Sequence, residues 1–315
     1  MTTSKRSVSV IIPTYNDPEF LDQSITSVLS QTDTDASVEV IIVDSSDDDR
    51  VKRIAEGYGS DVRYSWIEPD GVASARNHGL DLATGDIVGF CDADDYWHTE
   101  KLAHQLPELV DGTDIVYSDE YLVDNETTYR LSSLPVRSPE THHVNYFRNG
   151  GVGSRSVLAR TECFDAERFD ERFQLREDPH LWTRLFAQFR PARVDEALSY
   201  KRRRTGSITD DIDLAYEMKM LEISDLVKRY PELEPYRKER EMQAKHEYGK
   251  RLLSDTNRVA EARTHLRDVL QSDHYNQRTV LLYMITLLPR GNRTVVRTIQ
   301  HGKWRFSKIK EILQH

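Results

Sequence analysis

Short apolar runs alternate with amphipathic segments along the first hundred residues of the chain. The runs that predict β-strands are Val8–Ile12, Val38–Val43, Val62–Ile67 and Ile87–Cys91. Between them, apolar residues recur at helical spacing, which predicts helices over Pro18–Gln31, Val51–Tyr58 and Val72–Ala83. The run Val38–Val43 is apolar at nearly every position, as in a parallel sheet buried on both faces. This alternation predicts an α/β fold with a doubly wound sheet and helices on both faces.

The pattern changes twice farther along the chain. The mixed stretch from Lys101 to about Asp210 predicts strands Ile115–Asp119, Ser156–Ala159 and Ala197–Lys201, a helix Pro179–Gln188 and a polar loop Ser132–Asn149. From Asp211 onward, apolar residues keep helical spacing and prolines interrupt it. The predicted organisation is an α/β domain with halves at residues 1–105 and 106–210, followed by a helical subdomain at 211–315.

Charge and cysteine content exclude several classes of protein. The 53 acidic and 43 basic residues give a net charge of −10, which disfavours general nucleic-acid binding. Two cysteines, Cys91 and Cys163, are too few for a disulfide framework or a zinc site. The apolar run Val280–Leu288 is less than half a bilayer span, and Met1–Ser7 is too short for a signal-peptide core. We therefore expect a soluble intracellular protein.

The most specific chemical signal is Asp92-Ala93-Asp94-Asp95, which directly follows a predicted buried strand. Ligands of doubly wound sheets bind at the carboxyl ends of the strands. Two carboxylates at positions i and i+2 can converge there on one divalent cation, which prefers oxygen ligands and shares them with phosphates. A solvated acidic turn is the alternative interpretation of this motif.

Two further segments carry polar residues at the same predicted edge. Asp44 ends the strand Val38–Val43 and should lie beside Thr14, where its carboxylate could accept from the N–H edge of a base. Alternatively, Asp44 caps a following helix. Gly71–Gly79 combines small residues with Arg76 and Asn77, which could reach phosphate or ribose. Plain helix packing is the alternative for that segment.

In this order, the segments resemble the inverting glycosyltransferases of family 2, which have the GT-A fold. The matching segments are Val8–Asn16, Val43-Asp44, Ala75–Gly79, Ala83–Ile87, Asp92–Trp97 with Lys101-Leu102, Arg168–Phe173 and Glu177–Trp182. The resemblance covers about Val8 to Thr209. It implies a GT-A type doubly wound, mixed or parallel sheet, with a nucleotide-sugar-binding half at 1–105 and an acceptor-binding half at 106–210.

The resemblance also implies a role for each matching residue. The residues implied to bind the nucleotide are Pro13, Thr14, Tyr15, Asp44, Arg76 and Asp92. Asp94, with Asp92, would hold Mn²⁺ or Mg²⁺ between the two phosphates. Asp178 would be the general base that takes the proton of an acceptor hydroxyl. Further phosphate or acceptor contacts would come from Arg202, Arg203, Arg204, Glu177 and His180. A solvated turn is the alternative for the three arginines, and a helix cap is the alternative for Asp178.

The sequence departs from the family pattern at two positions. Asp44-Ser45-Ser46 stands where the family usually has Asp-Gly-Ser, which makes the identity of the nucleotide less secure. His180 stands where an acid is common. For His180, an exposed helix histidine is favoured over a contact with the acceptor.

Residues 290–315 hold seven bases and one acid, interleaved with Trp304, Phe306 and Ile309. Such a segment suits the surface of an anionic membrane, although packing of Leu281–Leu288 into the helical bundle with solvated bases is an equally simple interpretation. Membrane contact would fit a lipid-linked acceptor. The predicted location is the cytoplasm, with peripheral contact at the inner face of the cell membrane.

The predicted function is metal-dependent, inverting transfer of one sugar from a nucleotide sugar, with UDP favoured, to a glycan acceptor. The acceptor would be a saccharide linked to polyprenyl or dolichyl phosphate, in a pathway for cell-surface polysaccharide or for N-glycosylation of S-layer type. Processive synthases carry a Gln-x-x-Arg-Trp motif and membrane helices, and this sequence has neither. The alternatives are direct transfer to polyprenyl phosphate and a non-catalytic, nucleotide-sugar-binding subunit of a glycan assembly complex.

Overall fold

The computed structural model describes residues 6–124, 127–204, 208–255 and 257–287. The chain divides into two compact units, Met1–Ser207 and Ile208–His315. The strands of the first unit are β1 (Ser7–Thr14), β2 (Ser37–Asp44), β3 (Val62–Trp66), β4 (Ile87–Phe90), β5 (Tyr96–Trp97), β6 (Ile115–Asp124), β7 (Thr127–Leu131), β8 (Val157–Arg160) and β9 (Pro191–Arg202). Its helices are α1 (Leu21–Leu29), α2 (Arg50–Glu56), α3 (Gly71–Leu82), α4 (Lys101–Gln105), α5 (His142–Asn149), α6 (Thr161–Ala166) and α7 (Glu177–Phe186).

The strands form one mixed sheet in the order β3-β2-β1-β4-β8-β6-β9-β5, with β7 paired to β6. Strands β3, β2, β1 and β4 are parallel, whereas β8 is antiparallel to both β4 and β6. This arrangement confirms the predicted mixed sheet. Because β1, β2 and β4 run the same way, their carboxyl ends meet at one edge, where ligands of such sheets bind.

Separate apolar cores cover the two faces of the sheet. Ile11 and Ile41 belong to the core that includes residues of α3, α5 and α7. Val10 and Val40, one position earlier on the same strands, belong to the core that includes residues of α1, α2 and α4. Successive strand residues point to opposite faces, so a strand covered on both sides is apolar at most positions. The predicted helices on both faces are therefore present.

Several details differ from the prediction, most of them in the second half of the α/β domain. The prediction of a loop over Ser132–Asn149 is wrong at its end, because helix α5 occupies His142–Asn149. His142, Tyr146 and Phe147 lie on the buried face of this helix. Burial lowers the pKa of His142 to about 4, so the neutral ring packs like an aromatic residue against Phe186. Strands β5 and β7 were not predicted, since one has two residues and the other is exposed throughout. Strand β9 begins six residues earlier than expected.

The second unit is helical in its described part. Its helices are α8 (Ile212–Arg229), α9 (Arg237–Leu252), α10 (Val259–Leu270) and α11 (Gln277–Thr286). Tyr248, Leu252, Leu266 and Leu282 form one of its apolar clusters. In α11, Leu282 and Ile285 are buried while Met284 is exposed. The basic segment 290–315 lies outside the described residues. Within the described ranges, no helix is both long enough and apolar enough to cross a bilayer.

Candidate active site

The ends of β1 and β2 bring Thr14 beside Asp44, as the sequence predicted. Both residues are buried. The Asp44 carboxylate accepts a hydrogen bond from the backbone N–H of Ser46 (2.9 Å) and another from the hydroxyl of Tyr64 (2.8 Å). It therefore shapes its own turn and does not cap α2, which follows Asp49. The hydroxyl of Thr14 is buried without a hydrogen-bond partner among the described residues, which leaves one polar group here for a ligand.

Two exposed aromatic side chains flank this strand edge. Pro13 is buried, but Tyr15, the next residue after β1, is 57% exposed. Trp66 ends β3 opposite Asp44 and is 49% exposed. Its indole Nε1 donates to the carbonyl oxygen of Ser46 (3.1 Å), which fixes the ring at the Asp44 turn. Sequence reasoning did not select Trp66, although a large aromatic residue at the end of a strand is a usable signal.

Asp92, Asp94 and Asp95 follow β4 and have unlike surroundings. Burial raises the pKa of Asp92, but Arg76 and Arg155 outweigh it and hold the pKa well below its usual range. Burial, together with the charges of Asp92 and Asp17, raises the pKa of Asp94. Each oxygen of Asp92 already accepts from an arginine, whereas the Asp94 carboxylate, within the described residues, has a longer ion pair with Arg204 at 3.7 Å. An under-neutralised carboxylate of this kind suits a divalent cation, so Asp94 fits a metal better than Asp92 does.

Arg76 joins the Asp92 turn to the start of α7. Its guanidinium is 3% exposed and donates to Asp92 (2.8 Å), Glu177 (2.7 Å) and Asp178 (2.9 Å). The sequence predicted Arg76 near the base or the diphosphate, and its three nearest partners are instead carboxylates. The planar fork of arginine suits such multiple contacts. Two acidic motifs 86 residues apart in the sequence (92 and 178) therefore form one cluster.

A second buried arginine extends this cluster. Arg155 pairs with Asp92 (3.2 Å), Glu120 (3.1 Å) and Asp95. Burial raises the pKa of Asp95 to about 7, although Arg155 opposes that shift. Sequence reasoning missed Arg155, because nothing in the segment around it distinguishes this arginine from a surface residue.

Asp178 and Glu177 occupy the first turn of α7. The helix follows Arg176, whose backbone is left-handed (φ 74°), and this sharp entry turns both carboxylates toward Arg76. Asp178 also accepts from the backbone N–H of Ser154 (3.2 Å). Burial and the neighbouring Asp178 raise the pKa of Glu177 to about 7 against the effect of Arg76. Asp178 is the more accessible carboxylate, with 18% of its side chain exposed against 10% for Glu177.

The three predicted basic residues lie at the end of β9 and directly after it, and they differ in their contacts. Arg202 donates from its backbone N–H to Asp95 (2.8 Å) and from Nε to the carbonyl oxygen of Asp94 (3.0 Å). Arg204 pairs with Asp17 and lies near Asp94. Arg203 is exposed and pairs with Asp124. The structure therefore brings Arg202 and Arg204, but not Arg203, to the Asp92–Asp95 turn.

Two expectations on polar residues are wrong. His180 is 1% exposed and stacks on Phe173 with 4.4 Å between ring centroids, so it is neither a surface histidine nor open to an acceptor. Asn77 was expected to reach phosphate or ribose. Its side chain instead bonds to the backbone of Phe169 and to Glu171, which ties α3 to the segment before α7.

The sequence model of the family described as glycosyl transferase family 2 matches residues 9–170, about half of the chain. An uncharacterized glycosyltransferase from Rickettsia conorii is 30% identical over 205 residues, which cover 62% of this chain and 34% of that protein. WfgD from Escherichia coli, a UDP-Glc:alpha-D-GlcNAc-diphosphoundecaprenol beta-1,3-glucosyltransferase, is 29% identical over 177 residues, covering 56% of this chain and 68% of that protein. The chain thus spans only about a third of the length of the Rickettsia conorii relative.

Solved structures show the same fold. TarS 1–349 from S. aureus in complex with UDP-GlcNAc has a TM-score of 0.58 at 20% identity, covering 93% of this chain and 87% of that chain. The mannosyltransferase PcManGT from Pyrobaculum calidifontis, in complex with GDP-Man and Mn²⁺, has a TM-score of 0.55 at 18% identity and covers 94% and 85%. With the family model matching half of its length, the chain belongs to glycosyltransferase family 2.

Proposed function

We propose that the protein transfers one sugar from a nucleotide sugar to a glycan acceptor with inversion at the anomeric carbon. The observation that carries the proposal is the junction through Arg76, which places Asp178 in the same ion cluster as the Asp92 turn. Inverting transfer in one step needs a base beside the acceptor and a donor site on the other side of the anomeric carbon. Two carboxylate groups held apart by one guanidinium match that need.

The nucleotide is proposed to bind at the ends of β1, β2 and β3. The unpartnered hydroxyl of Thr14 offers a hydrogen bond, and exposed Tyr15 and Trp66 offer aromatic surface for a base. UDP is the proposed nucleotide, in line with WfgD, whose name gives UDP-Glc as its donor, and with TarS, whose structure holds UDP-GlcNAc. PcManGT holds GDP-Man, so GDP is the alternative that an experiment must separate.

Asp94 would hold a divalent cation, which when bound neutralises charge on the departing diphosphate. Asp178 accepts the proton of the acceptor hydroxyl as that oxygen attacks the anomeric carbon. The bond from the anomeric carbon to the donor phosphate breaks, and its electron pair leaves with the nucleoside diphosphate. Arg76 holds the Asp178 carboxylate in place throughout, and the backbone N–H of Ser154 steadies its second oxygen.

The proposed acceptor is a saccharide on a polyprenyl diphosphate at the cytoplasmic face of the membrane. WfgD supports this proposal, because its name gives a GlcNAc-diphosphoundecaprenol acceptor. The excess of bases in residues 290–315 would favour contact with anionic lipid. Such contact would place the active site where a lipid-linked acceptor is presented.

Calorimetric titration with UDP and with GDP, each with and without Mn²⁺, tests the donor site. We expect UDP to bind in the presence of Mn²⁺ and Asp94→Ala to lose that binding. A screen of UDP-sugars with lipid-linked GlcNAc diphosphate as acceptor then tests transfer. Asp178→Asn should keep UDP binding and lose transfer, while Asp165→Asn, an exposed carboxylate on α6, should keep both. Full transfer by Asp178→Asn would refute the assigned base.

A further inference from the structure

A groove beside α1 lies outside the nucleotide and base sites described above. It has a volume of about 650 Å³, within the range of small-molecule sites. One wall is formed by Gln23, Thr26, Ser27 and Ser30 of α1 and its C-terminal end, and the opposite wall includes Tyr96 and Tyr200. We propose that this α1 groove binds an uncharged saccharide, as a second carbohydrate site.

The lining has the mixed chemistry that a sugar ring requires. Hydroxyl and amide side chains on the α1 wall can both donate and accept hydrogen bonds, as sugar hydroxyls do. The tyrosine wall combines apolar ring surface with polar hydroxyl tips, which suits a ligand with apolar C–H surface and a polar rim. The groove therefore matches a pyranose better than a purely apolar ligand.

Its charge argues against a phosphorylated ligand. The acidic residue in the lining is Asp22, whose carboxylate accepts from the hydroxyl of Tyr58 (2.5 Å). Among the described residues that line the groove, none is a lysine or an arginine. Phosphate sites depend on arginine, lysine or convergent backbone N–H groups. Arg202, which contacts the lining residue Gln23, already donates to Gln23 and to the carbonyl oxygen of Asp94, so a neutral saccharide fits these side chains better than a nucleotide or a sugar phosphate does.

Stacking orders the aromatic wall of the groove. Tyr121, Tyr200 and Tyr96 occupy paired positions on β6, β9 and β5. Their rings stack with centroid distances of 5.1 Å between Tyr121 and Tyr200 and 4.4 Å between Tyr200 and Tyr96. A wall already ordered by stacking loses little conformational entropy on binding, so more of the contact energy appears as affinity.

One side chain connects the groove to the Asp92–Asp95 turn. Gln23 accepts from the guanidinium of Arg202 (2.7 Å), and the same guanidinium donates to the carbonyl oxygen of Asp94 (3.0 Å). The groove is therefore adjacent to the proposed donor site while remaining distinct from it. We take its saccharide to be a part of the acceptor glycan that does not react, and this identification rests on the proposed function.

Saturation-transfer NMR on the full chain with four neutral trisaccharides (maltotriose, laminaritriose, chitotriose and mannotriose) tests the groove. We expect at least one to bind, with UDP present or absent. Thr26→Trp and Ser30→Trp fill the groove from exposed positions and should weaken that binding at least about tenfold. Lys52→Trp, which places the same ring on an exposed position of α2, should leave binding unchanged.

Binding of none of the four sugars, or equal binding by wild type and both groove variants, overturns the inference. UDP titration of the same samples separates this failure from failure of the proposed function. If UDP still binds and no trisaccharide binds, the proposed donor site is supported and the saccharide site in the groove is refuted. If Thr26→Trp abolishes trisaccharide binding in a protein that binds neither UDP nor GDP, the groove is supported and the proposed donor site is refuted.

Discussion

Replacing Arg76 is the most direct test of how the acidic cluster is held together. Arg76→Met keeps most of the side-chain volume and removes the guanidinium that pairs with Asp92, Glu177 and Asp178 at 2.7–2.9 Å. Because the guanidinium is 3% exposed, its loss leaves carboxylates in a buried site without their cation. Removing one partner of a buried ion pair costs about 3–5 kcal/mol. For a unit of this size, the midpoint of thermal unfolding should fall by about 10 °C.

Thermal and urea unfolding followed by circular dichroism measure this loss. Arg76→Lys keeps one positive charge but not the fork, so its loss should be intermediate. Adding Glu177→Gln to Arg76→Met removes one uncompensated carboxylate and should recover part of the stability. A loss below about 1 kcal/mol for Arg76→Met would refute the reasoning. Equal losses for the methionine and lysine variants would show that the fork geometry, rather than the positive charge itself, is what matters.

Three further changes test other buried groups. The pKa of Glu177 is raised from 4.5 to about 7, so the stability that this group contributes is present at low pH and is lost as the pH rises through 7. In urea unfolding, the free energy of unfolding of Glu177→Gln should therefore increase relative to that of wild type from about pH 5 to about pH 8. Burial lowers the pKa of Lys101 from 10.5 to about 7, so the free energy of unfolding of wild type should increase relative to that of Lys101→Met as the pH rises from about 7 to about 10. A difference in unfolding free energy that does not change with pH would contradict this prediction. Gly89→Ala would put a Cβ 2.8 Å from the Trp97 ring and should cost about 1–3 kcal/mol in thermal unfolding; an unchanged midpoint would show that the ring yields freely.

The parallel half of the sheet could be predicted because its physics is local. A strand buried on both faces is apolar at nearly every position, and Val38–Val43, with Glu39 as its one polar residue, shows that pattern without help from distant residues. Strand β7 and helix α5 could not be predicted in this way. The first is exposed on both faces, and the second buries the neutral ring of His142, which sequence patterning counts as polar.

The same distinction between local and long-range contacts applies to the candidate site. The register of Thr14 with Asp44 follows from two adjacent parallel strands, so it could be predicted from their sequences. The partners of Arg76 and Arg155 lie 16 to 102 positions away along the chain, and only the folded sheet brings them together. A lone arginine gives no sign in the sequence of which carboxylate it will meet.

Asp92 has one arginine on each of its two oxygens, and each arginine also binds a carboxylate elsewhere in the cluster. A change of charge on Asp92 therefore alters what Arg76 can offer Asp178, and the reverse holds as well. In a buried site such coupling is strong, because little water is present to screen it. The proposed base and the Asp92 turn are therefore linked through Arg76, which contacts both carboxylates. Two acidic motifs that the sequence presents as independent are, in the fold, one electrostatic unit, with Arg76 as its shared member.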